Sequence, residues 1–346
     1  MTVSAGLKEH NCRNKTLPLG YLDTCAEAAN NLGKTSSSLD NRAPFPTSIP
    51  RMQTNEECVV DLELLETRAS SPNSTLPRAF LRWAGSKRWL LRQIVPLLPR
   101  QFRTYREPFL GSGTLFFLLC PSRALLSDKC GELVSVYTIL RDGAAGIIRH
   151  LRPLKPDRDL FYAIRKRPSR GRLKRVAEFI YLNKTCWNGL YRVNSEGRFN
   201  VPYGMPKTEF IADFENLRAC SQVLREPGVS LRSCDFEAAL ADAEAGDLVY
   251  LDPPYVTRHN NNGFIEYNET LFSWEDQKRL ARRARQLASA GVHVIVTNAD
   301  HREVVDLYKG FSTRTLTRSS TLASNPKCRV LVKEAILYSP NCTEQR

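Results

Sequence analysis

No stretch of the 346 residues approaches the roughly 18 uncharged apolar residues that a membrane span needs. The first 30 residues also lack the continuous apolar region of a secretion signal. A membrane-embedded or secreted protein is therefore not expected, and a cytoplasmic location is. The ten cysteines lie far apart, and none forms C-x-x-C or pairs with a histidine at metal-ligand spacing. That excludes the common structural zinc patterns and favours reduced thiols over disulfides. There is no G-x-x-x-x-G-K-[ST] element, so ATP-driven chemistry on such a loop is excluded too. No internal repeat is visible, which removes the solenoid architectures.

Acidic residues are the next shortage: 36 against 50 Lys and Arg, a net charge of +14. The imbalance is uneven along the chain. Residues 1–77 carry 7 basic and 9 acidic side chains, so residues 78–346 alone carry +16. An excess of that size, confined to the part able to fold, fits a polyanionic partner such as nucleic acid; a generic basic surface is the alternative. Residues 1–77 are rich in Ser, Thr, Asn and Pro and read as a largely disordered leader, with one short apolar stretch at Cys58–Leu65.

From Arg78 the texture becomes globular. Leu90, Leu91, Ile94, Val95, Leu97 and Leu98 recur at helical spacing. Short strand-like runs end in turn or acidic residues at 104–108, 123–128, 247–252 and 292–297, with helical patterns at 132–140 and 274–287. This alternation predicts an α/β fold with a parallel sheet between helices. The rhythm breaks over 151–229, a basic segment that reads as an insertion between two halves of the sheet, 78–150 and 230–340. Ligands of such sheets bind at the carboxyl ends of the strands.

The sharpest motif, Asp252-Pro253-Pro254-Tyr255, falls at such an end. An amine conjugated to an aromatic ring is a poor nucleophile because its lone pair is delocalised. A carboxylate and a backbone carbonyl freed by a Pro-Pro turn can accept both of its N–H bonds and localise that pair. Tyr255 offers a face on which an extruded base can stack. A rigid turn alone would explain Pro-Pro but not the Asp and Tyr beside it.

A second element, Phe109-Leu110-Gly111-Ser112-Gly113, is a Gly-rich turn between a strand and an apolar helix start. Gly111 and Gly113 let the backbone approach a ligand closely. A lone G-x-G is often only a tight turn. Here a further strand follows, ending in Leu126-Ser127-Asp128, whose carboxylate can accept bonds from ribose hydroxyls. The pair points to a nucleoside-containing cofactor. In Trp83-Ala84-Gly85-Ser86-Lys87, Trp83 can pack on that cofactor and Lys87 can pair with a carboxylate, although in isolation the segment reads as a basic helix entrance. Between Asn183 and Gly204, aromatics, Asn and Arg interleave with Gly turns, a composition suited to base-edge and phosphate contacts.

In this order the blocks resemble the Dam-type DNA adenine N6-methyltransferases, the alpha-order amino-methyltransferases, over about residues 78–340. The blocks are Trp83–Lys87, Glu107–Gly113, Leu126–Asp128, the segment from Leu182 through Asn188-Gly189-Leu190 to Gly204, and Asp252–Tyr255. The resemblance implies a Rossmann-like methyltransferase sheet with an inserted helical and hairpin target-recognition domain. It implies S-adenosylmethionine as methyl donor, adenine in double-stranded DNA as acceptor, base flipping, and no metal. Family donor-binding positions fall on Trp83, Lys87, Asp128 and Asp252. Target-recognition positions fall on Arg82, Trp187, Asn188, Leu190, Arg192, Asn194 and Pro202. Leu190, Arg192 and Pro202 look like those of members that read GATC. A cytosine N4-methyltransferase needs the same carboxylate–carbonyl clamp and stays the nearest alternative, and an inactive DNA-binding relative is the other. A monomer is expected, whether solitary, carried by a phage or mobile element, or serving a restriction-modification system beside a cognate restriction endonuclease.

Overall fold

The computed structural model describes residues 53–54, 57–70, 77–83, 85–255, 272–319 and 331–342. Seven strands form one sheet: β1 (Tyr105–Glu107), β2 (Arg123–Asp128), β3 (Gly228–Ser233), β4 (Leu248–Leu251), β5 (His293–Ala299), β6 (Ser312–Ser319) and β7 (Leu331–Tyr338). Their spatial order is β3-β2-β1-β4-β5-β7-β6. Strands β1 to β5 pair in parallel, whereas β7 runs antiparallel to both β5 and β6. The four strand-like runs of the sequence are β1, β2, β4 and β5. Strand β4, Leu-Val-Tyr-Leu, is buried at every position, as a parallel strand covered on both faces must be. The strand order reverses between β1 and β4, so the loops leaving these two neighbours diverge and open a crevice at their carboxyl ends.

Helices α1 (Leu62–Ser70), α2 (Thr114–Leu119), α3 (Gly131–Leu151), α4 (Arg158–Lys166), α5 (Arg172–Thr185), α6 (Phe214–Leu224), α7 (Phe236–Ala239), α8 (Trp274–Ser289) and α9 (Arg302–Val305) surround the sheet. Their starts are written locally. Asp157, Asp213 and Asp235 accept backbone N–H bonds as N-caps, and Ser273 with Asp276 forms a reciprocal capping box on α8. The apolar spacing at 90–98 does not give one regular helix. Pro96 cannot continue an α-helical ladder, and Arg88–Leu97 becomes a chain of short tight turns whose Leu90, Ile94 and Leu97 are buried.

The segment between β2 and β3 leans on α3. Gly143 departs from helical dihedrals and kinks that helix, and Leu173 of α5 fills a notch where a Cβ on Gly143 or Gly146 would collide with it. The leader needs correcting where it is described. Glu57–Val59 pairs with Gln101–Phe102, and α1 follows; Cys58, Val60 and Leu65 join the main apolar core, Leu65 with 0% exposure. The apolar stretch therefore folds with the residues that follow Arg78, because its side chains complete their core. The other leader residues lie outside the described ones, apart from the short strand Gln53–Thr54, which pairs with the strand at 57–59, and Pro77, which is buried. Among the described residues no helix is long and apolar enough to cross a membrane.

Candidate active site

Three loops and two strand interiors meet at the crevice. Asp252 follows β4 directly, and its carboxylate retains 19% of its side-chain exposure. Lys87, only 5% exposed, places Nζ 2.8 Å from Asp252 Oδ1 and 2.6 Å from the Gly85 carbonyl it donates to. Thr297 on β5 donates its hydroxyl to the same Oδ1 at 2.7 Å. Both bonds fall on one oxygen, and the other has no bond to a described residue. Burial pushes the Asp252 carboxyl above the ordinary aspartate range, and Lys87 and Thr297 pull it partly back. Beside it, Lys87 Nζ lies over the Tyr255 ring, 4.6 Å from its centre, and the Tyr255 hydroxyl donates to Glu334 Oε2 at 2.8 Å. Burial holds the Tyr255 phenol well above its usual pKa, with Asp252 and Glu334 adding to the effect. Pro253 is buried and Pro254 half-buried, which makes the turn rigid.

The second pole of the crevice is the turn after β1. Gly111 and Gly113 take φ of +47° and +62°, a region where side-chain-bearing residues are strained. The turn is tied down from several sides. Gly111 N donates to Asp128 Oδ2 at 3.1 Å, the Tyr137 hydroxyl donates to the Gly111 carbonyl, and Leu110 N donates to the Ser127 carbonyl. A Cβ on Gly111 would lie 3.0 Å from the Trp83 ring. Asp128 takes one backbone N–H on each oxygen, from Gly111 and Cys130, and keeps further acceptor capacity on both. Burial raises its pKa. Phe109 stacks on Phe236 and meets Phe272 edge-on, an apolar wall at the carboxyl ends of β1 and β3. A backbone cradle closed by Trp83, an acid with spare lone pairs and an aromatic wall together fit a nucleoside-bearing ligand.

The structure brings Asp252, Pro253, Pro254, Tyr255 and Lys87 to one corner, and Gly111, Gly113, Asp128 and Phe109 to the other. Lys87, expected among the donor-binding residues, engages Asp252 and Tyr255. Trp83 does border the Gly-rich turn, but its ring stacks on Tyr191 with centres 5.4 Å apart, so it also joins that turn to the recognition block. Glu107, at the end of β1, is buried and accepts the Tyr105 hydroxyl; burial and the neighbouring Asp252 raise its pKa well above normal.

The recognition block leaves α5 through Asn183, whose side chain exchanges two bonds with the Arg82 backbone. Asn188 and Gly189 both take positive φ, and a Cβ on Gly189 would strike Arg82. Trp187 (37% exposed), Asn188 and Pro202 are open to solvent, and the Pro202 carbonyl accepts Trp187 N–H. Leu190 is half-buried against the core. Burial and the adjacent Arg82 pull the Lys184 ammonium down to about 8. Arg192 and Asn200 face each other on a hairpin closed by the Val193–Phe199 bridge, with Arg192 Nε donating to Asn200 Oδ1 at 2.8 Å. Asn194, expected to contact DNA, is exposed on the same hairpin. Its Oδ1 accepts N–H bonds from Glu196 and Arg198 and so builds the hairpin turn.

Thr297, Glu334 and Phe236 were not singled out by the sequence. Thr297 and Glu334 are polar residues inside apolar strand runs, a weak signal that acquires meaning only once the strands are paired.

A sequence model of the D12 class N6 adenine-specific DNA methyltransferases matches residues 83–322. The type II methyltransferase M1.LlaDCHI of Lactococcus lactis subsp. cremoris is 35% identical over 268 residues, covering 75% of this chain and 94% of that protein. The type II methyltransferase M.MjaIII of Methanocaldococcus jannaschii is 34% identical over 259 residues, with 68% and 89% covered. The DNA adenine methylase of Escherichia coli (strain K12) is 30% identical over 271 residues, with 76% and 96% covered.

Proposed function

The chain belongs to the D12 class N6 adenine-specific DNA methyltransferases, and from that premise we propose how its residues divide the reaction. The observation that carries the reading is the acceptor corner, where Lys87 and Thr297 both bind Oδ1 of Asp252 and leave the other oxygen available as an acceptor. That oxygen and a carbonyl of the Pro253-Pro254 turn accept the two N6–H bonds of an extruded adenine. The nitrogen lone pair is thereby withdrawn from the ring and aimed across the crevice. Tyr255 supports the base on the ring face that Lys87 leaves open. S-adenosylmethionine supplies a methyl group on a positively charged sulfur, which needs no further activation. Asp128 would hold the ribose hydroxyls of that donor, Gly111 and Gly113 would let the backbone approach it closely, and Phe109 and Trp83 would border it. N6 would gain the methyl group as the sulfur–methyl bond breaks, leaving a neutral thioether, and the methylated nitrogen would then lose one proton to water. No metal enters this scheme.

Residues 151–229 serve as the target-recognition insertion in this reading. Arg82, Trp187, Asn188, Leu190, Arg192 and Pro202 face or frame the DNA, and Asn194 shapes the hairpin. The block points to GATC as the methylated word and to a monomer acting on duplex DNA. Two relatives named as type II methyltransferases favour service beside a cognate restriction endonuclease.

Plasmid methylated by the pure protein and digested with nucleases blocked by, or dependent on, N6-methyladenine within GATC tests both parts. Full conversion by the native chain and none by Asp252→Ala is the expected result. Methylation at another word would remove GATC alone. Near-native turnover by Asp252→Ala would remove the clamp.

A further inference from the structure

We propose that Glu334, which lies outside every motif of the sequence, is a positioning residue that holds the Tyr255 ring in place for the target base. The inference rests on the reading of Tyr255 as the base's platform. It begins with strand direction. A parallel strand would deliver its last residues to the crevice, but β7 runs antiparallel to β5 and delivers its first ones. The register pairs Glu334 with Ala299, the final residue of β5, so the carboxylate arrives at the same sheet edge as Asp252 and Thr297. There it is 1% exposed, and its Oε2 accepts the Tyr255 hydroxyl at 2.8 Å.

The residues that follow it on β7, Ala335, Ile336 and Leu337, are apolar and fully buried. A buried acid near Asp252 is electrostatically unfavourable, and Glu334 contributes to the raised pKa of both Asp252 and Tyr255. What the carboxylate supplies is a charge-assisted acceptor, stronger and more directional than a neutral one. The Tyr255 ring is then fixed at two places. Glu334 holds its hydroxyl, and Lys87 covers one face at 4.6 Å. A base stacking on this ring would use the face opposite Lys87, at a tilt set by the hydroxyl. Since Tyr255 follows a rigid Pro-Pro turn, the anchor at the far end of its ring determines how the base meets the Asp252 oxygen.

The experiment compares the native chain with Glu334→Gln, Tyr255→Phe and the double variant, measuring kcat and both KM values on a short duplex. A parallel duplex with a fluorescent purine analogue at the target position reports base extrusion. Each single variant is expected to lose about ten-fold or more in kcat through misplacement of the base, with KM for DNA and donor little changed. The double variant should be no slower than Tyr255→Phe, because the bond is already absent there. Native-like turnover by Glu334→Gln, or losses that multiply in the double variant, would overturn the proposal. If Glu334→Gln does not fold, Tyr255→Phe removes the same bond from the other end, and native-like turnover there overturns it equally. Tyr255→Ala separates the two readings. Undiminished turnover and extrusion in that variant would show that Tyr255 is not the platform, whereas its loss alongside independent effects of Glu334 would overturn only the present inference.

Discussion

At the scale of single residues, the acceptor corner depends on an aspartate that is costly to ionise. Burial raises the Asp252 pKa, and Lys87 is the strongest influence in the opposite direction. The clamp needs the carboxylate, so turnover falls as pH drops through the folded-state pKa. Because that pKa is raised, the loss begins at a higher pH than an ordinary aspartate would give. Lys87→Met removes the cation that favours ionisation and should move the acid limb of the pH–rate profile to still higher pH, with lower turnover throughout. Superimposable acid limbs for the two proteins would show that Lys87 does not act on Asp252. The same residue shows why motif position alone misleads: five residues of Trp83–Lys87 are contiguous, yet Trp83 faces the Gly-rich turn and Lys87 faces Asp252.

At the scale of elements, the recognition hairpin separates a residue that presents from one that builds. Arg192 is exposed, and among the described residues its side chain is held through Nε, which leaves its terminal nitrogens for a bidentate contact to guanine, worth about 1–3 kcal/mol of discrimination. Arg192→Ala should therefore relax preference at one base pair flanking the adenine. Asn194→Ala removes the acceptor for two turn N–H groups and should slow methylation of every word alike. Rates on a panel of duplexes, each altered at one position, decide between these roles. A uniform loss for Arg192→Ala with a shallower salt dependence would make it a phosphate anchor instead.

At the scale of the whole molecule, charge and core divide the chain at different places. The charge boundary near residue 78 marks where the +16 excess begins, an excess suited to a polyanionic substrate. The core boundary lies earlier, because Cys58, Val60 and Leu65 pack among the buried residues of the catalytic body. A chain beginning at Gln53 should melt like the full protein. One beginning at Arg78 should melt lower, since loss of a buried leucine side chain alone costs about 2–5 kcal/mol. Equal melting temperatures for the two truncations would show that the α1 region adds nothing to stability.

The amino-acid sequence by itself determined the chemistry-bearing turns and the class of fold. Asp252–Tyr255, the Gly-rich turn and Asp128 are local features, each written within a few consecutive residues at a strand's end. The parallel strands β1, β2, β4 and β5 were legible for the same reason, as contiguous apolar runs. Tertiary structure alone decided which of these turns face each other, and which carboxylate Lys87 serves. It also decided that Cys58–Leu65 is core, and that Thr297 and Glu334 belong to the site. These depend on strand order, on the antiparallel direction of β7 and on burial. Such properties arise between residues 45 to 165 positions apart. No local pattern encodes them, because a side chain's partners are set by packing rather than by its neighbours along the chain.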